Sequence, residues 1–297
     1  MAKNKLTQLG PSTWVMEGPT NIGFIHTSDG VFLVDSGNGK EAGRKINQAL
    51  KQMGWQAYGI INTHSNADHI GGNDYLKRNL SCKIFTPCVE AAFTEHPELE
   101  TAFLWGGKPV KDIDNRFFKA TPSKVDHILT QDCKTIAQSI SIHPMNGHFF
   151  NMIGVETEDK VLFVADAMFG SRVLTKYKLP FIYDVAAFKA TIARIQAISA
   201  DWYVPSHGSI CSDIGELARL NLSVVENLET AIVERLAHPA HFDHILKAVC
   251  DQFDITLDCG QYALVGSTIR SFLSYLYNED RLTLFFDANV LYWESKP

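Results

Sequence analysis

His64, Asn66, Asp68 and His69 fall within six consecutive residues of the segment Thr63-His64-Ser65-Asn66-Ala67-Asp68-His69-Ile70-Gly71-Gly72-Asn73, and each side chain can offer a lone pair to a metal ion. Imidazole nitrogen and carboxylate oxygen are donors that zinc and similar divalent cations take, and a catalytic site keeps one position open for water. Coordination lowers the pKa of that water to roughly 7, so hydroxide becomes accessible at neutral pH. The cluster therefore points to metal-dependent hydrolysis. Such donors need a rigid support. Tyr58-Gly59-Ile60-Ile61-Asn62-Thr63 is a short apolar run of the kind that forms a buried parallel strand, and Gly71-Gly72 is expected to let the chain turn directly after the cluster. The donors are thus expected on a loop at the C-terminal edge of a strand, where open α/β sheets place their chemistry.

The segment resembles the His-x-His-x-Asp-His signature of the metallo-β-lactamase superfamily, with Asn66 where the second histidine stands. The resemblance continues in family order from about Trp14 to about Gly208. Asn146-Gly147-His148, after the strand-like Ser139 to Pro144, is similar to the family's third ligand segment. Asp166, at the end of Val161-Leu162-Phe163-Val164-Ala165, is similar to its bridging aspartate, and His207 in Val204-Pro205-Ser206-His207-Gly208 to its last histidine. Phe32-Leu33-Val34-Asp35-Ser36-Gly37 resembles the family's Val-Asp-Ser/Thr-Gly turn, which makes Asp35 a support of the ligand loop. The resemblance implies an α/β (α+β) fold, a four-layer αββα sandwich. It also implies one metal on His64, residue 66 and His148, a second on Asp68, His69 and His207, and Asp166 bridging them. Asp68 is the expected catalytic residue, orienting water or shuttling a proton as well as binding metal. A lone histidine such as His148 is more often a hydrogen-bonded core or surface residue than a ligand. Agreement of seven positions with one scheme sets these apart.

Asn66 unbalances the pair. An amide oxygen is a neutral, weak donor beside imidazole and suits hard ions better than zinc. Either the first metal binds less tightly than the second, or Asn66 only hydrogen-bonds a metal-held water while both sites fill. The expected cofactor is a divalent metal, one or two per chain, with zinc first and iron or manganese compatible with the same ligands.

The remaining polar clusters carry less. His238, His241 and His244 recur at three-residue intervals that fan over about 120° of a helix, with Pro239 at its start, and read as a solvated helix entry. His96, His127 and His143 lack partners at ligand spacing. The six cysteines form no Cys-x-x-Cys pair and, without a recognisable signal peptide, read as reduced thiols of a cytoplasmic protein. Cys211, four residues after His207, is read as structural.

The elements that position these residues divide the 297-residue chain into a metallo-β-lactamase-like catalytic domain over 1–212, a connecting helix over 213–236 and a winged-helix-like region over 237–297. The first part alternates strands (Thr13 to Glu17, Ile22 to Thr27, Gly30 to Asp35) with a helix from Gly39 to Met53. Between Cys82 and Lys134 lies an insertion-like segment whose Phe103, Trp105, Phe117 and Phe118 either line a cover over the site, favouring a partly apolar substrate, or pack its helices into the core. Apolar Leu217, Leu220, Val224, Leu228, Ile232 and Leu236 mark the connecting helix. From about Ala240 the pattern predicts three helices followed by a hairpin around Asp287-Ala288-Asn289.

A net charge of −6 argues against a general nucleic-acid partner. From Ala237 onward the basic residues are Lys247, Arg270, Arg281 and Lys296 against eight acidic ones, although phosphate contacts need an excess of Lys and Arg. The C-terminal region is therefore expected to serve packing, homodimer contact or covering of the site. No uncharged apolar stretch approaches the roughly 18 residues of a membrane span. The expected partner is a small-molecule substrate, an ester, thioester, lactone or amide attacked by metal-activated hydroxide. An iron-dependent oxidoreductase of the same fold and a non-catalytic scaffold are the competing readings. A nuclease is opposed by the charge, and no Gly-x-Ser-x-Gly elbow supports a serine nucleophile.

Overall fold

The computed structural model describes residues 6–130 and 132–296. Its first half builds a seven-stranded sheet from β1 (Leu6–Gln8), β2 (Thr13–Met16), β3 (Ile22–Thr27), β4 (Gly30–Val34), β5 (Ala57–Ile61), β6 (Lys83–Pro87) and β7 (His127–Leu129), in that spatial order. The first four strands are antiparallel neighbours, and β4 to β7 run parallel. Parallel strands need crossovers. These are α1 (Gly39–Met53), the one-turn α2 (Ala67–Ile70), α3 (Asn73–Leu80), α4 (Cys88–Glu95) and α5 (Glu98–Trp105).

A second sheet of five strands contains β8 (Thr135–Ile136), β9 (Ile140–Pro144), β10 (Ile153–Thr157), β11 (Val161–Ala165) and β12 (Trp202–Pro205). Only β11 and β12 pair in parallel. α6 (Ser171–Tyr177) and α7 (Val185–Ala197) connect them, and α8 (Gly215–Arg235), β13 (Ala240–His241), α9 (Phe242–Phe253), α10 (Cys259–Asn278), β14 (Leu282–Asp287) and β15 (Val290–Ser295) follow.

Strand alternation makes the layers. Ile25, Phe32 and Ile61 point inward to Ile142, Val155 and Phe163 of the second sheet, whereas their neighbours Phe24, Leu33 and Ile60 point outward onto Ile46, Leu50 and Leu76. Leu162 and Val164 of β11 likewise face Phe188, Ile192 and Leu228. The result is helix, sheet, sheet, helix, the four-layer sandwich that the resemblance implies. The outer core beneath the second sheet continues without interruption through Val249, Ile269, Phe272 and Leu282.

One expectation is corrected. The region from Ala240 holds two helices, not three, because α10 runs unbroken for 20 residues: the apolar face through Ala263, Val265, Ile269, Phe272 and Leu276 is buried along its length. Gly71-Gly72 does turn the chain directly after the cluster, between α2 and α3, with both residues in right-handed space. The glycines are needed for close approach, because a Cβ at Gly71 would lie 2.2 Å from the Gly39 nitrogen and one at Gly72 2.3 Å from the Ser36 carbonyl oxygen.

Gly147, immediately before His148, meets both demands. Its φ is +131°, and a Cβ would fall 2.4 Å from the backbone of Phe188 on α7. Gly147→Ala is expected to cost about 3 kcal/mol or more, from left-handed strain plus overpacking against backbone. Chemical denaturation would measure it, and a loss below about 1 kcal/mol would show that α7 yields instead.

Candidate metal centre

Strand ends supply the site. β4 ends at Asp35, β5 leads through Asn62 and Thr63 to His64, and Asn66 caps the one-turn helix that carries Asp68 and His69. The loop after β9 brings His148, Asp166 follows β11, and His207 follows β12. The short helix is a further departure from the expected open loop: the His69 and Ile70 amides donate to the Asn66 carbonyl, and the Ser36 amide and hydroxyl donate to the His69 carbonyl at 2.7 and 2.9 Å.

All four histidines are anchored through Nδ1. His69 donates to Asp35 Oδ2 at 2.8 Å, His148 to the Phe181 carbonyl at 2.8 Å and His207 to the Pro19 carbonyl at 2.6 Å. His64 Nδ1 lies 3.0 Å from the Thr63 hydroxyl, which itself donates to Asp35. Each imidazole thereby turns Nε2 to a common space, the arrangement by which proteins orient metal-ligating histidines.

The ligand atoms form two groups, His64/His148/Asp166 and Asp68/His69/His207, each with its atoms within 4.8 Å of one another. Asp166 stands between them, with Oδ1 3.4 Å from His69 Nε2 and Oδ2 3.6 Å from His148 Nε2 and 3.4 Å from His207 Nε2. Asp68 Oδ2 is 3.1 Å from His207 Nε2, and Asn66 Oδ1 is 2.9 Å from His148 Nε2. The structure thus brings together all seven residues singled out in the sequence. His64 Nε2, His69 Nε2 and Asp166 Oδ1 are buried without a hydrogen-bond partner. Orphaned polar atoms of this kind are costly, and cations held by the two groups would satisfy all three, so the donor set fits a metal.

Electrostatics separate the two halves. Burial drives the pKa of His64 well below the ordinary imidazole value and lowers that of His148. Burial acts in the same sense on His69 and His207, but the carboxylates of Asp166 and Asp68, with Asp35 beside His69, outweigh it and hold both well above that value. Burial likewise opposes ionisation of Asp166 and Asp68, and the facing histidines reverse it, holding both carboxyls below their usual range.

Two buried acids missed in the sequence complete the surroundings. Glu90 on α4 accepts from the Ser65 amide and hydroxyl and from the Asn151 amide, stapling the ligand loop to the segment after His148. Burial pushes its carboxyl up to about 7 against these bonds. Glu100 on α5 accepts from Asn66 Nδ2 at 2.7 Å, and burial holds it well above the carboxylate range. The available signal was an acid on an apolar helix face, Glu90 three residues before Phe93 and Glu100 four before Leu104.

The other histidines stand apart. His143 pairs with Glu156, His127 stacks on Phe85 and His241 packs on His244. All six cysteines are free, and burial raises the Cys211 thiol at the cleft wall.

A cleft of about 2100 Å³ opens over the centre. The aromatics of the 82–134 segment divide between the two roles left open: Phe117 and Phe118 line the cleft, whereas Phe103 packs among Phe93, Phe149, Phe150 and Tyr183, and Trp105 rests near Tyr262.

Removing the Asp35 carboxylate strands three donors. Asp35→Ala is expected to weaken metal binding by about 10- to 100-fold, chiefly at the His69 group, as read by chelator competition. Unchanged affinity would mean that His69 is oriented by packing alone. Glu90 gives a pH signature. Its folded-state pKa is raised from 4.5 to about 7, so its contribution to stability is full at acid pH and declines as pH rises through that interval. The stability advantage of wild type over Glu90→Gln, which does not titrate, is expected to shrink by about 3 kcal/mol between these limits in urea unfolding of chelator-treated protein. A pH-independent difference would contradict the burial effect.

The profile of the metallo-beta-lactamase superfamily matches residues 15–207, the span that holds every residue of the centre. A hydroxyacylglutathione hydrolase of Nitrobacter hamburgensis is 30% identical over 165 residues, covering 54% of this chain and 52% of that protein. The chain therefore spans about half the length of the curated relatives it matches. Among solved structures, a beta-lactamase domain protein from Burkholderia ambifaria superposes with a TM-score of 0.78 at 15% identity, covering 99% of this chain and 94% of that one. A metallo-beta-lactamase family protein from Thermus thermophilus gives 0.76 at 17% identity, covering 97% and 100%. At these identities the likeness is one of fold, and it extends through the C-terminal helices and hairpin. The chain belongs to the metallo-β-lactamase superfamily.

Proposed function

We propose that the protein is a metal-dependent hydrolase of a carbonyl substrate, with a thioester as the first candidate. The observation that carries this reading is Asp166 set between two His-rich groups whose Nε2 atoms converge, with three buried donor atoms otherwise unpaired. His64, Asn66 and His148 would hold one cation, Asp68, His69 and His207 a second, and Asp166 would be shared. Zinc suits the imidazole-rich set best, and iron or manganese would also be accepted. Bound there, a divalent cation supplies Lewis acidity that lowers the pKa of water and polarises a carbonyl.

The chain's own residues do the rest. Asp35, Thr63, Phe181 and Pro19 fix the four imidazoles. Asp68 is placed for proton handling, because its side chain is 35% exposed, against 16% for His207 and 5% for Asp166, and it lines the cleft. Phe117, Phe118, Phe169 and Phe181 give the cleft an apolar wall suited to an acyl chain. The 30% identity to a hydroxyacylglutathione hydrolase supports a thioester over a lactone or amide.

Residues 1–212 would then be the catalytic unit, 213–236 the connector and 237–297 a winged-helix-like unit. Its strand order β13-β15-β14 around α9 and α10 supports that reading, with the end of α8 as first helix. The acidic balance of this unit favours packing or homodimer contact over nucleic acid. No helix among the described residues is long and apolar enough to cross a membrane, and we place the protein in the cytoplasm on its free thiols.

Elemental analysis of protein purified without added metal, combined with assays on acyl thioesters, aryl esters and lactones, tests the reading. Two zinc equivalents with chelator-sensitive thioester hydrolysis are expected. Asp68→Asn should lower kcat by about 100- to 10,000-fold. One equivalent would place the cation on the His69 group, leaving Asn66 as the weak ligand, and Asn66→His should then raise uptake. Bound iron with oxygen consumption would replace hydrolysis by the oxidoreductase reading. A protein that takes up no metal would replace it by the scaffold.

A further inference from the structure

We infer that Glu100 is a positioning residue that makes Asn66 a ligand of the first metal, through a carboxyl–amide hydrogen bond that fixes the asparagine as a hydrogen-bonded partner fixes a ligating histidine. The inference rests on the metal-centre reading above. Asn66 Nδ2 donates to Glu100 Oε1 at 2.7 Å, and on the opposite side of the same amide Oδ1 lies 2.9 Å from His148 Nε2. In this placement the amide N–H meets an acceptor oxygen of Glu100, which the carboxyl offers whether or not it carries a proton, and Oδ1 is turned to the His148 side.

The far side of the amide is equally constrained. His148 Nδ1 donates to the Phe181 carbonyl, so in the neutral ring Nε2 is a bare acceptor facing the bare acceptor Asn66 Oδ1. Two acceptors at that distance repel unless a cation lies between them, and two ligands about 2.1 Å from one tetrahedral zinc sit roughly 3.4 Å apart, a small opening of this pair. His64 Nε2, buried without a partner, closes the same group.

A carboxylate behind a ligating imidazole fixes its orientation and raises its basicity. Glu100 stands in that relation to the amide: accepting from Nδ2 draws electron density toward Oδ1 and offsets the weakness of a neutral oxygen donor. Glu100 is not among the residues whose ligand atoms gather in either group, so it acts through Asn66. Its helix is held in turn by the C-terminal region, since Leu104 of α5 shares a buried cluster with Ile113 and with Ala263 of α10. The order of dependence therefore runs from α10 to α5, to Glu100, to Asn66, and so to the first metal.

A double-mutant cycle on metal-free full-length protein tests this, with zinc affinity read by competition against a chromophoric chelator and site geometry by the visible absorption of added cobalt. Glu100→Gln is nearly isosteric but can turn either its oxygen or its nitrogen to the amide. It is expected to weaken the first site by about 10- to 100-fold and alter the cobalt spectrum, leaving the second site, which reports intact folding, unchanged. Asn66→Ala should weaken the first site at least as much, and adding Glu100→Gln to Asn66→Ala should weaken it no further. First-site affinity within twofold of wild type in Glu100→Gln, with two metals bound, would overturn this inference and leave the metal centre standing. So would full additivity in the double variant. A wild type that takes up no metal would overturn both.

Discussion

Asp35 accepts three hydrogen bonds at 2.8 Å, from the Thr63 amide, the Thr63 hydroxyl and His69 Nδ1, and so ties the end of β4 to the end of β5 and to the helix turn that carries half of the donors. The residue is 1% exposed, and a carboxylate buried to that degree is tolerable only when its oxygens are satisfied. Its φ of +64° is a conformation that non-glycine residues seldom adopt. That strain persists because the backbone on both sides is fixed: the Asp35 amide donates to the Ile61 carbonyl and the Ser36 amide to the His69 carbonyl. The parallel register of β4 and β5 thus becomes the tautomer and direction of an imidazole. His64 inherits the same constraint at one remove, through the Thr63 hydroxyl.

Around this point the chain concentrates five acidic side chains, of which burial favours the neutral form of Glu90 and Glu100. Asp35, Asp68, Asp166, Glu90 and Glu100 all lie on or directly behind the ligand groups, and histidines are the basic side chains that pair with the first three. In a low-dielectric interior such a cluster is unfavourable unless protons or a cation balance it. On the His69 side the histidines can take up protons, since two carboxylates hold their pKa values high. On the His64 side, burial keeps both imidazoles neutral. The two groups share Asp166 but differ in how their charge is balanced.

The legibility of all this in the sequence was uneven for reasons that particular residues make plain. β3, α1 and β11 fall at Ile22–Thr27, Gly39–Met53 and Val161–Ala165 as read, because period-two alternation, a helical apolar stripe and a fully apolar run are local signals. The seven candidate positions stood out because six of them are His or Asp close after such strands. Glu90 and Glu100 were not, since an acid near Phe93 or Leu104 reads as an exposed helix residue until the fold covers it. The turn at Gly71-Gly72 was legible, but their close approach to Gly39 and Ser36 was not, because it is a tertiary fact with no local signature. The third helix expected after Ala240 is absent for a related reason: burial along one face keeps α10 continuous past the weak helix formers Gly266 and Ser267.

The C-terminal elements follow from the same logic. Leu264, Gln261 and Gly260 of α10 line the cleft, Phe118 lies against Gly260, and the outer core beneath the second sheet is continuous from Met145 to Leu282. The wall of the cleft is therefore built partly by residues far along the chain from the candidate metal donors, while those donors are held by strand ends. Under the proposed function, chemistry and selectivity are thereby separable. Substitutions on α10 or in the Phe117-Phe118 turn reshape the cleft without touching an imidazole, and the same centre can serve substrates of different shape. Glu100 is the point where the separation is incomplete, because the helix that rests on α10 also holds the amide of Asn66.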